Sequence, residues 1–291
     1  MGYGDVVLRG IQTVRRDAQD VDIRIYMPES IEEGEDIFYK WAASDTQSQQ
    51  SLFVVTADDY EDMMIKYFRS NHLSEGKEIL LFESENLFDL PIYNFTISTY
   101  GASYLAGITA AYVSQCPPLI VWGNYMDMST DCAVVGFQDG YHSQTSSDVE
   151  AILLSDDWTG YTMDNEVYYS MSEWVKQYGF IYPIAGGSNN GVYRYLREFP
   201  VETYTAGFDI DCSHLSSNVV GSTVKYIDWL LITYIEQWLE SGTMPKQSVY
   251  GLESGYVDWV LAPDYRSGYR SIMARKRDEA IELEREYETG L

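Results

Sequence analysis

A two-lobed α/β fold, each lobe a mostly parallel sheet covered by helices, follows from three observations. Apolar strands and amphipathic helices alternate through the first hundred residues, the pattern of a parallel sheet buried on both faces. The alternation then restarts near Ser98 to Gly101, and more than about ten strands is unusual for one sheet. The third quarter reads strand, glycine turn, helix, strand, acidic turn, long helix. In open α/β sheets the loops at the carboxyl ends of strands form the ligand crevice.

The elements follow in order. Val7, Leu8, Ile11 and Val14 recur at helical spacing, and residues 22–26 alternate as a strand does. Residues 31–41 read as a helix and 52–56 as a short buried strand. Residues 60–68 form a helix with Asp58 or Asp59 as N-cap. Strands are expected at 78–82 and 93–98, then a helix over 100–112 whose small residues imply close packing on a sheet. Strands at 119–122 and 150–154 enclose a helix beginning at 133–142, and a helix over 166–178 follows. The strand Phe180-Ile-Tyr-Pro-Ile-Ala185 leads into the turn Gly186-Gly-Ser-Asn-Asn-Gly191 and a helix to Glu198. The next strand ends in Ala206-Gly-Phe-Asp-Ile-Asp211. Val219, Val220, Val224, Ile227, Leu231, Ile235 and Trp238 form one stripe of a long helix carrying Lys225. Strands at 248–252 and 256–261 precede a charged tail helix over 275–288, most of whose charges read as a solvated face.

Composition narrows the partners. The chain has 291 residues, 45% hydrophobic, enough for a large core or two smaller ones. Its net charge of −26 excludes a nucleic-acid partner, which needs a basic footprint, and disfavours docking on anionic lipid. No apolar run approaches the roughly 18 residues of a transmembrane helix, and no signal peptide is recognised. Cys116, Cys132 and Cys212 match no zinc pattern, and a Cys116–Cys132 disulfide and buried thiols both remain open. His72, His142 and His214 are scattered, so neither a metal site nor a catalytic triad is expected, and no cofactor fingerprint is present. Asn94-Phe-Thr96 matches a glycosylation sequon but falls in a strand.

Each candidate residue has a structural and a functional reading. Gly186 to Gly191 is neither a Rossmann fingerprint, a P-loop nor a nucleophile elbow. It is a tight turn, or a turn whose glycines Gly186 and Gly187 let a ligand touch backbone amides at a helix N-terminus. Asp209 and Asp211 cap the following segment, or accept hydroxyls from a sugar. Lys225 is a surface cation, or a cleft lysine donating charge-assisted hydrogen bonds. Some of the 26 tyrosines and seven tryptophans are candidates for stacking on a flat ligand.

These motifs resemble the basic membrane protein (BMP) family of ABC-transporter substrate-binding lipoproteins, whose best known members bind purine nucleosides. Gly2-Tyr-Gly-Asp-Val-Val-Leu-Arg-Gly10 resembles the family's "S-F-N-D-x-x-x-x-G" opening, and Tyr104-Leu-Ala-Gly107 its "Y-L-A-G" helix. Ala185-Gly-Gly-Ser-Asn-Asn-Gly191 is similar to "A-G-G-T-G-x-G". Gly207-Phe-Asp-Ile-Asp211 and Ser222-Thr-Val-Lys-Tyr-Ile-Asp228 resemble "G-V-D-x-D-Q" and "T-S-x-x-K-x-x-D", the most specific part. Gly4 stands where the family has asparagine, Cys212 where it has glutamine, and the loop after Ser98 lacks an aspartate for the base.

The resemblance implies two Rossmann-like lobes of the type I periplasmic-binding-protein fold joined by three hinge crossovers. The first comprises 1–99 plus 214–244 and the second 100–213 plus 245–291. It implies a non-enzymatic, extracytoplasmic solute-binding protein of an ABC importer, holding a nucleoside-like molecule in the interlobe cleft by hinge closure. Tyr3 would stack on the base, Gly187, Asp209 and Lys225 would meet the ribose, and Asp5, Gly186 and Asp211 complete the expected ligand set. An ABC permease is the implied partner, the molecule is expected to be a monomer, and no cofactor is expected. In the family a strand, a signal peptide and a lipidated cysteine precede the opening motif. A membrane-anchored full-length form, and a first lobe without its opening strand, are therefore expected, with an unpaired sheet edge. The rival functions are a ligand-sensing module, a sugar receptor, and a Rossmann-like enzyme, the last disfavoured by the missing nucleophile–base pair.

Overall fold

The computed structural model describes residues 3–18, 20–45, 49–56, 60–84, 90–124, 128–246 and 248–290. The chain divides into two compact units. The larger holds Met1–Val6, Ser98–Ile227 and Tyr250–Leu291, and the smaller Val7–Ile97 and Asp228–Val249.

Helix α1 (Tyr3–Asp17) opens the described chain, followed by α2 (Ile31–Ala43), β1 (Ser51–Val55), α3 (Glu61–Phe68), β2 (Lys77–Phe82) and β3 (Tyr93–Ile97). With β9 (Ser248–Tyr250) these strands make a sheet in the order β1-β2-β3-β9. β1 is parallel to β2 and β2 to β3. Alternate residues of β2 face opposite ways. Ile79 and Leu81 pack with Phe38, Met63, Met64 and Tyr67 of α2 and α3. Phe82 meets Phe95, which meets Tyr234 of α8 (Ile227–Ser241). Lys77 is buried and donates to the carbonyls of Trp41 (2.6 Å), Ala42 (2.9 Å) and Ser44 (2.5 Å), satisfying acceptors that the end of α2 leaves open. Arg9 of α1 pairs with Asp228 at 2.8 Å, a carboxylate in the first turn of α8, where the helix dipole favours it.

The larger unit runs α4 (Tyr100–Val113), β4 (Pro118–Asn124), α5 (Met128–His142), β5 (Glu150–Ser155), α6 (Asp164–Trp174), β6 (Phe180–Ile184), α7 (Asn189–Glu198), β7 (Tyr204–Asp209) and β8 (Val219–Lys225). β10 (Val257–Leu261) and α9 (Pro263–Thr289) follow β9. Its sheet has the order β10-β8-β7-β6-β4-β5, with β10 alone antiparallel to its neighbour. Leu119, Val121 and Ile181 pack with Val167 and Met171 of α6 and Val192 and Leu196 of α7. Phe137 of α5 stacks on Tyr182, with ring centroids 4.6 Å apart. The small residues of α4 serve a close helix–helix contact with α5 as well as the expected packing on the sheet, where Ser103 meets Tyr182 of β6 and Thr109 accepts from the Trp259 indole of β10. A Cβ on Gly107 would lie 2.1 Å from the Phe137 carbonyl oxygen, and one on Gly140 2.0 Å from that of Tyr104.

Three sequence expectations are corrected. Residues 219–241 are a strand followed by a helix, not one long helix. All seven residues of β8 are buried, between β7 on one side and β10 on the other. A strand covered on both faces shows no alternation, so its apolar run imitates a helix stripe. Residues 22–26 lie outside any strand and are mostly exposed. The Ile23 carbonyl, which a sheet neighbour would need as an acceptor, instead accepts from the Arg15 guanidinium of α1 at 2.8 Å. The tail helix begins at Pro263, twelve residues before the expected start, with proline in its first turn. The N-cap expected at Asp58 or Asp59, and Gly2 of the opening motif, lie outside the described residues. All three cysteines are free thiols, Cys116 exposed and the others buried.

Candidate functional site

Five parallel strands of the larger unit end on one edge of its sheet, β4 at Asn124, β5 at Ser155, β6 at Ile184, β7 at Asp209 and β8 at Lys225. The chain steps outward from β4 to β5, then crosses to β6 on the other side of β4 and continues to β7 and β8. Such a reversal of strand order is where flanking loops part and ligands enter open α/β sheets.

Asp209 and Lys225 meet on this edge. The β7–β8 register sets Asp209 beside Val224, one residue before Lys225. Lys225 Nζ lies 3.4 Å from Asp209 Oδ1, the lysine side chain 4% and the aspartate 23% exposed. The ammonium also sits 5.8 Å from the centre of the Phe208 ring. A lysine this deep in the fold is tolerated only with a charge or dipole opposite it. Asp209 has φ +67°, in the left-handed region that aspartate and asparagine enter more readily than other side chains. The strand therefore ends there with a carboxylate on the sheet edge. A carboxylate of this kind accepts two hydroxyls at once, and an ammonium donates to a hydroxyl or carbonyl.

The glycine turn lies next to them in the sheet. Gly186 and Gly187 are exposed and open a short 3-10 turn (Gly186–Ser188) that runs into α7. The first amides of a helix have no partner within it, which makes them donors for a polar ligand. Neighbouring side chains hold the turn from below. Ser188 donates to the Gly160 carbonyl at 2.7 Å and accepts from the Met163 amide at 2.7 Å. Asn189 accepts from the Ala185 amide at 2.8 Å. Gly186 has φ +50°, and a Cβ there would come 2.8 Å from Tyr161.

Tyr161 belongs to a feature that sequence reading missed. A 3-10 turn (Trp158–Thr162) follows β5, with Asp157 accepting from the Thr159 amide at 2.8 Å. Tyr161 covers Gly123, Gly186 and Gly187, and Trp158 stacks on it, ring centroids 5.7 Å apart. Trp158 is 48% exposed, a large indole face beside the glycine turn. The only sequence signal was two aromatics three residues apart after Asp156-Asp157, too short to show a period. Beneath the edge, fully buried hydroxyls of Ser103, Tyr182 and Thr223 form a chain at 2.8 Å spacing from α4 through β6 to β8. It ties β8 down two residues before Lys225.

The other expected residues lie elsewhere. Asp211 is exposed and accepts from the Ser213 amide at 2.9 Å, the capping arrangement. Cys212 is buried, and burial pushes its thiol up to about 11. Tyr3, half-buried, and Asp5, exposed, begin α1 and divide with the larger unit. Among the described residues no three His, Cys, Asp or Glu side chains group to hold a metal ion, and no helix is long and apolar enough to cross a membrane.

A family model described as ABC transporter substrate-binding protein PnrA-like matches residues 2–282. Basic membrane protein D of Borreliella burgdorferi (strain JD1) is 25% identical over 186 residues, 62% of this chain and 53% of that protein. The chain thus spans about half the length of the curated relative it matches. Similar solved structures include a transcriptional activator of the comK gene from Bacillus halodurans, with TM-score 0.75 and 16% identity over 95% of this chain and 93% of that one. ABC transporter solute-binding proteins from Aeropyrum pernix K1 give TM-score 0.73 and 14% identity over 99% of this chain and 88% of that one. A LacI family regulator from Enterococcus faecium, solved with bound ribose, gives 0.64 and 12% over 89% and 93%. These likenesses show the fold, that of the type I periplasmic binding proteins. With a family model spanning nearly its whole length, the chain belongs to the Bmp family of PnrA-like ABC transporter substrate-binding proteins.

Proposed function

We propose that this protein is an extracytoplasmic solute-binding protein of an ABC importer, and that the carboxyl edge of the larger unit's sheet binds a nucleoside-like molecule. The Asp209–Lys225 pair carries the reading. A buried ammonium and an aspartate held in a left-handed backbone each cost stability, and such exceptions to local rules gather at functional sites. Vicinal hydroxyls of a pentose match Asp209, with Lys225 donating to the same sugar. The exposed indole of Trp158 supplies a face for a ring. Gly186 and Gly187 allow close approach of the ligand to the backbone.

Delivery to a membrane permease and anchoring of the full-length protein as a lipoprotein belong to this proposal. A second reading, a receptor for a free sugar, draws on two similar structures. One is the Enterococcus faecium regulator with bound ribose, the other a glucose-galactose binding protein from Geobacillus stearothermophilus.

A thermal-shift screen with nucleosides, free bases, pentoses and hexoses tests the proposal. A ligand at about 100 times its Kd stabilises the folded protein by roughly 2.7 kcal/mol. A shift with nucleosides and none with free bases is expected. A shift with pentoses alone favours the sugar reading. Cooperative melting unmoved by every compound overturns both.

A further inference from the structure

Tyr182 is a tyrosine where packing alone would be served by phenylalanine. It stands in the middle of β6 and is fully buried. Its ring stacks on Phe137 of α5, centroids 4.6 Å apart, and meets the Phe208 ring of β7 edge-on at 6.0 Å. Neither contact needs a hydroxyl. The phenol oxygen nevertheless lies 2.8 Å from Ser103 Oγ of α4 and 2.8 Å from Thr223 Oγ1 of β8. Burial raises the phenol above the ordinary tyrosine range, so at neutral pH it is a hydroxyl, donor and acceptor both. A hydroxyl taken out of water costs free energy unless it is hydrogen-bonded. A fully satisfied buried network, in return, fixes one arrangement of the segments it joins.

The segments joined here are the two that carry the charged pair. β7 lies between β6 and β8 in the sheet, so the Tyr182 side chain reaches across β7 to arrive at Thr223. Thr223 stands two residues before Lys225, and residues two apart on a strand face the same side. Phe208 immediately precedes Asp209, is the register partner of Thr223, and has its ring 5.8 Å from the Lys225 ammonium. One side chain thus bears on the neighbours of both charges. Its ring meets Phe208 beside Asp209, and its hydroxyl holds Thr223 below Lys225. The far end of the network is anchored on α4, whose close approach to α5 at Gly107 and Gly140 leaves no slack.

We propose that Tyr182 is a positioning residue for the ligand site. Through its hydroxyl it sets the spacing of the ends of β7 and β8, and so of Asp209 and Lys225, without itself meeting the ligand. Groups that must meet a ligand accurately are held by neighbours whose own rotamers are locked by packing and hydrogen bonds. Tyr182 has both, the ring between Phe137 and Phe208 and the hydroxyl between Ser103 and Thr223. The proposal rests on the reading of the Asp209–Lys225 pair as ligand-binding. Its first test needs no ligand, because the attraction of two charges falls with their separation and their coupling therefore reports the spacing.

That coupling is read from urea unfolding of Asp209→Asn, Lys225→Met and their double variant, in the wild-type and in the Tyr182→Phe background. Phenylalanine keeps both ring contacts and removes only the hydroxyl. The coupling is expected to shrink in that background. Thr223→Val removes the hydroxyl at the other end and should shrink it likewise, carrying the test should Tyr182→Phe fail to fold. Thr223→Ser keeps the hydroxyl and should preserve it. A coupling unchanged by either loss overturns the proposal. Calorimetry with a purine nucleoside is the second measurement. Tyr182→Phe is expected to weaken binding about fivefold in the wild type, the order of one lost hydrogen bond, and by less in Asp209→Ala, since it acts through the pair. A merely structural role would lower the urea midpoint and leave affinity alone, or weaken both backgrounds equally, and either result overturns the proposal. A wild type that binds no nucleoside removes the ligand reading, and the coupling then decides whether Tyr182 positions the pair.

Discussion

Lys225 Nζ approaches Asp209 Oδ1 to 3.4 Å although the two residues close neighbouring strands and lie sixteen positions apart. The parallel register of β7 and β8 makes the pair, and burial makes the partners depend on each other. Removing one charge leaves the other in the fold with less compensation, whereas removing both leaves a neutral pocket. Asp209→Asn and Lys225→Met are each expected to destabilise the protein, and the double variant by less than the sum. A coupling of about 1–3 kcal/mol is expected from urea unfolding of the four proteins. Strict additivity would mean that the two charges do not sense each other.

Gly186 is a second sensitive point. Its φ of +50° and the nearness of Tyr161 both oppose a side chain. Gly186→Ala is expected to cost at least about 1–2 kcal/mol from backbone conformation alone, read as a lowered urea midpoint. Replacing Tyr161 by Ala in the same chain removes the steric part and leaves the backbone part.

Glu284 gives a pH-dependent prediction. Its carboxylate accepts from the amides of Gly101 (2.9 Å) and Leu252 (2.7 Å), on two segments joined by the Ser98–Tyr250 backbone hydrogen bond at 3.0 Å. Burial, opposed by those amides, raises its pKa above the ordinary glutamate value. A raised folded-state pKa contributes stability below the unfolded pKa and loses it as pH rises through the folded pKa. Lowering the pH from neutral to about 4 should therefore stabilise the wild type relative to Glu284→Gln, which cannot titrate. Glu284→Ala strands two buried amides and is expected to cost about 2–4 kcal/mol at neutral pH. Equal pH dependence in wild type and Glu284→Gln would contradict the assignment.

Tyrosine phenols replace scarce cations as partners for carboxylates. Tyr104 donates to Glu279 at 2.6 Å, Tyr100 to Asp139 at 2.6 Å, and Tyr178 to Glu150. Burial, then these carboxylates, push Tyr104 and Tyr178 each up to about 12. Their contribution is complete below the unfolded phenol pKa of about 10 and is lost as pH rises toward 12. Thermal melts between those limits should fall steeply in the wild type and less so in Tyr104→Phe. Phenolate absorbance should show a late-titrating fraction that disappears on unfolding.

Sequence patterns revealed the β6–turn–α7 unit because an apolar strand, a glycine cluster and an amphipathic helix are each distinct local signals. They misplaced Lys225, since the run from Val219 to Val224 lies between two strands and shows no alternation. The residue type pointed to the site while its element was misread. Trp158 and Tyr161 escaped notice because a single 3-10 turn is shorter than any periodicity. The first half of α9 was missed because Gly268 and the alternating Tyr265, Ser267, Tyr269 and Ser271 obscure its apolar face, whose buried residues include Met273 and Ala280. Pairings distant in sequence, such as Glu284 with Gly101, leave no trace in a single chain.

The central claim is that Asp209 binds ligand on the carboxyl edge of the larger unit. Calorimetric titration of wild type and Asp209→Ala with a purine nucleoside and with its free base tests it most directly. Each tenfold loss of affinity corresponds to about 1.4 kcal/mol. Binding of the nucleoside by the wild type, weaker binding of the base, and a loss of about tenfold or more for the nucleoside in Asp209→Ala are predicted. Equal affinity of wild type and a folded Asp209→Ala for the nucleoside would contradict the account.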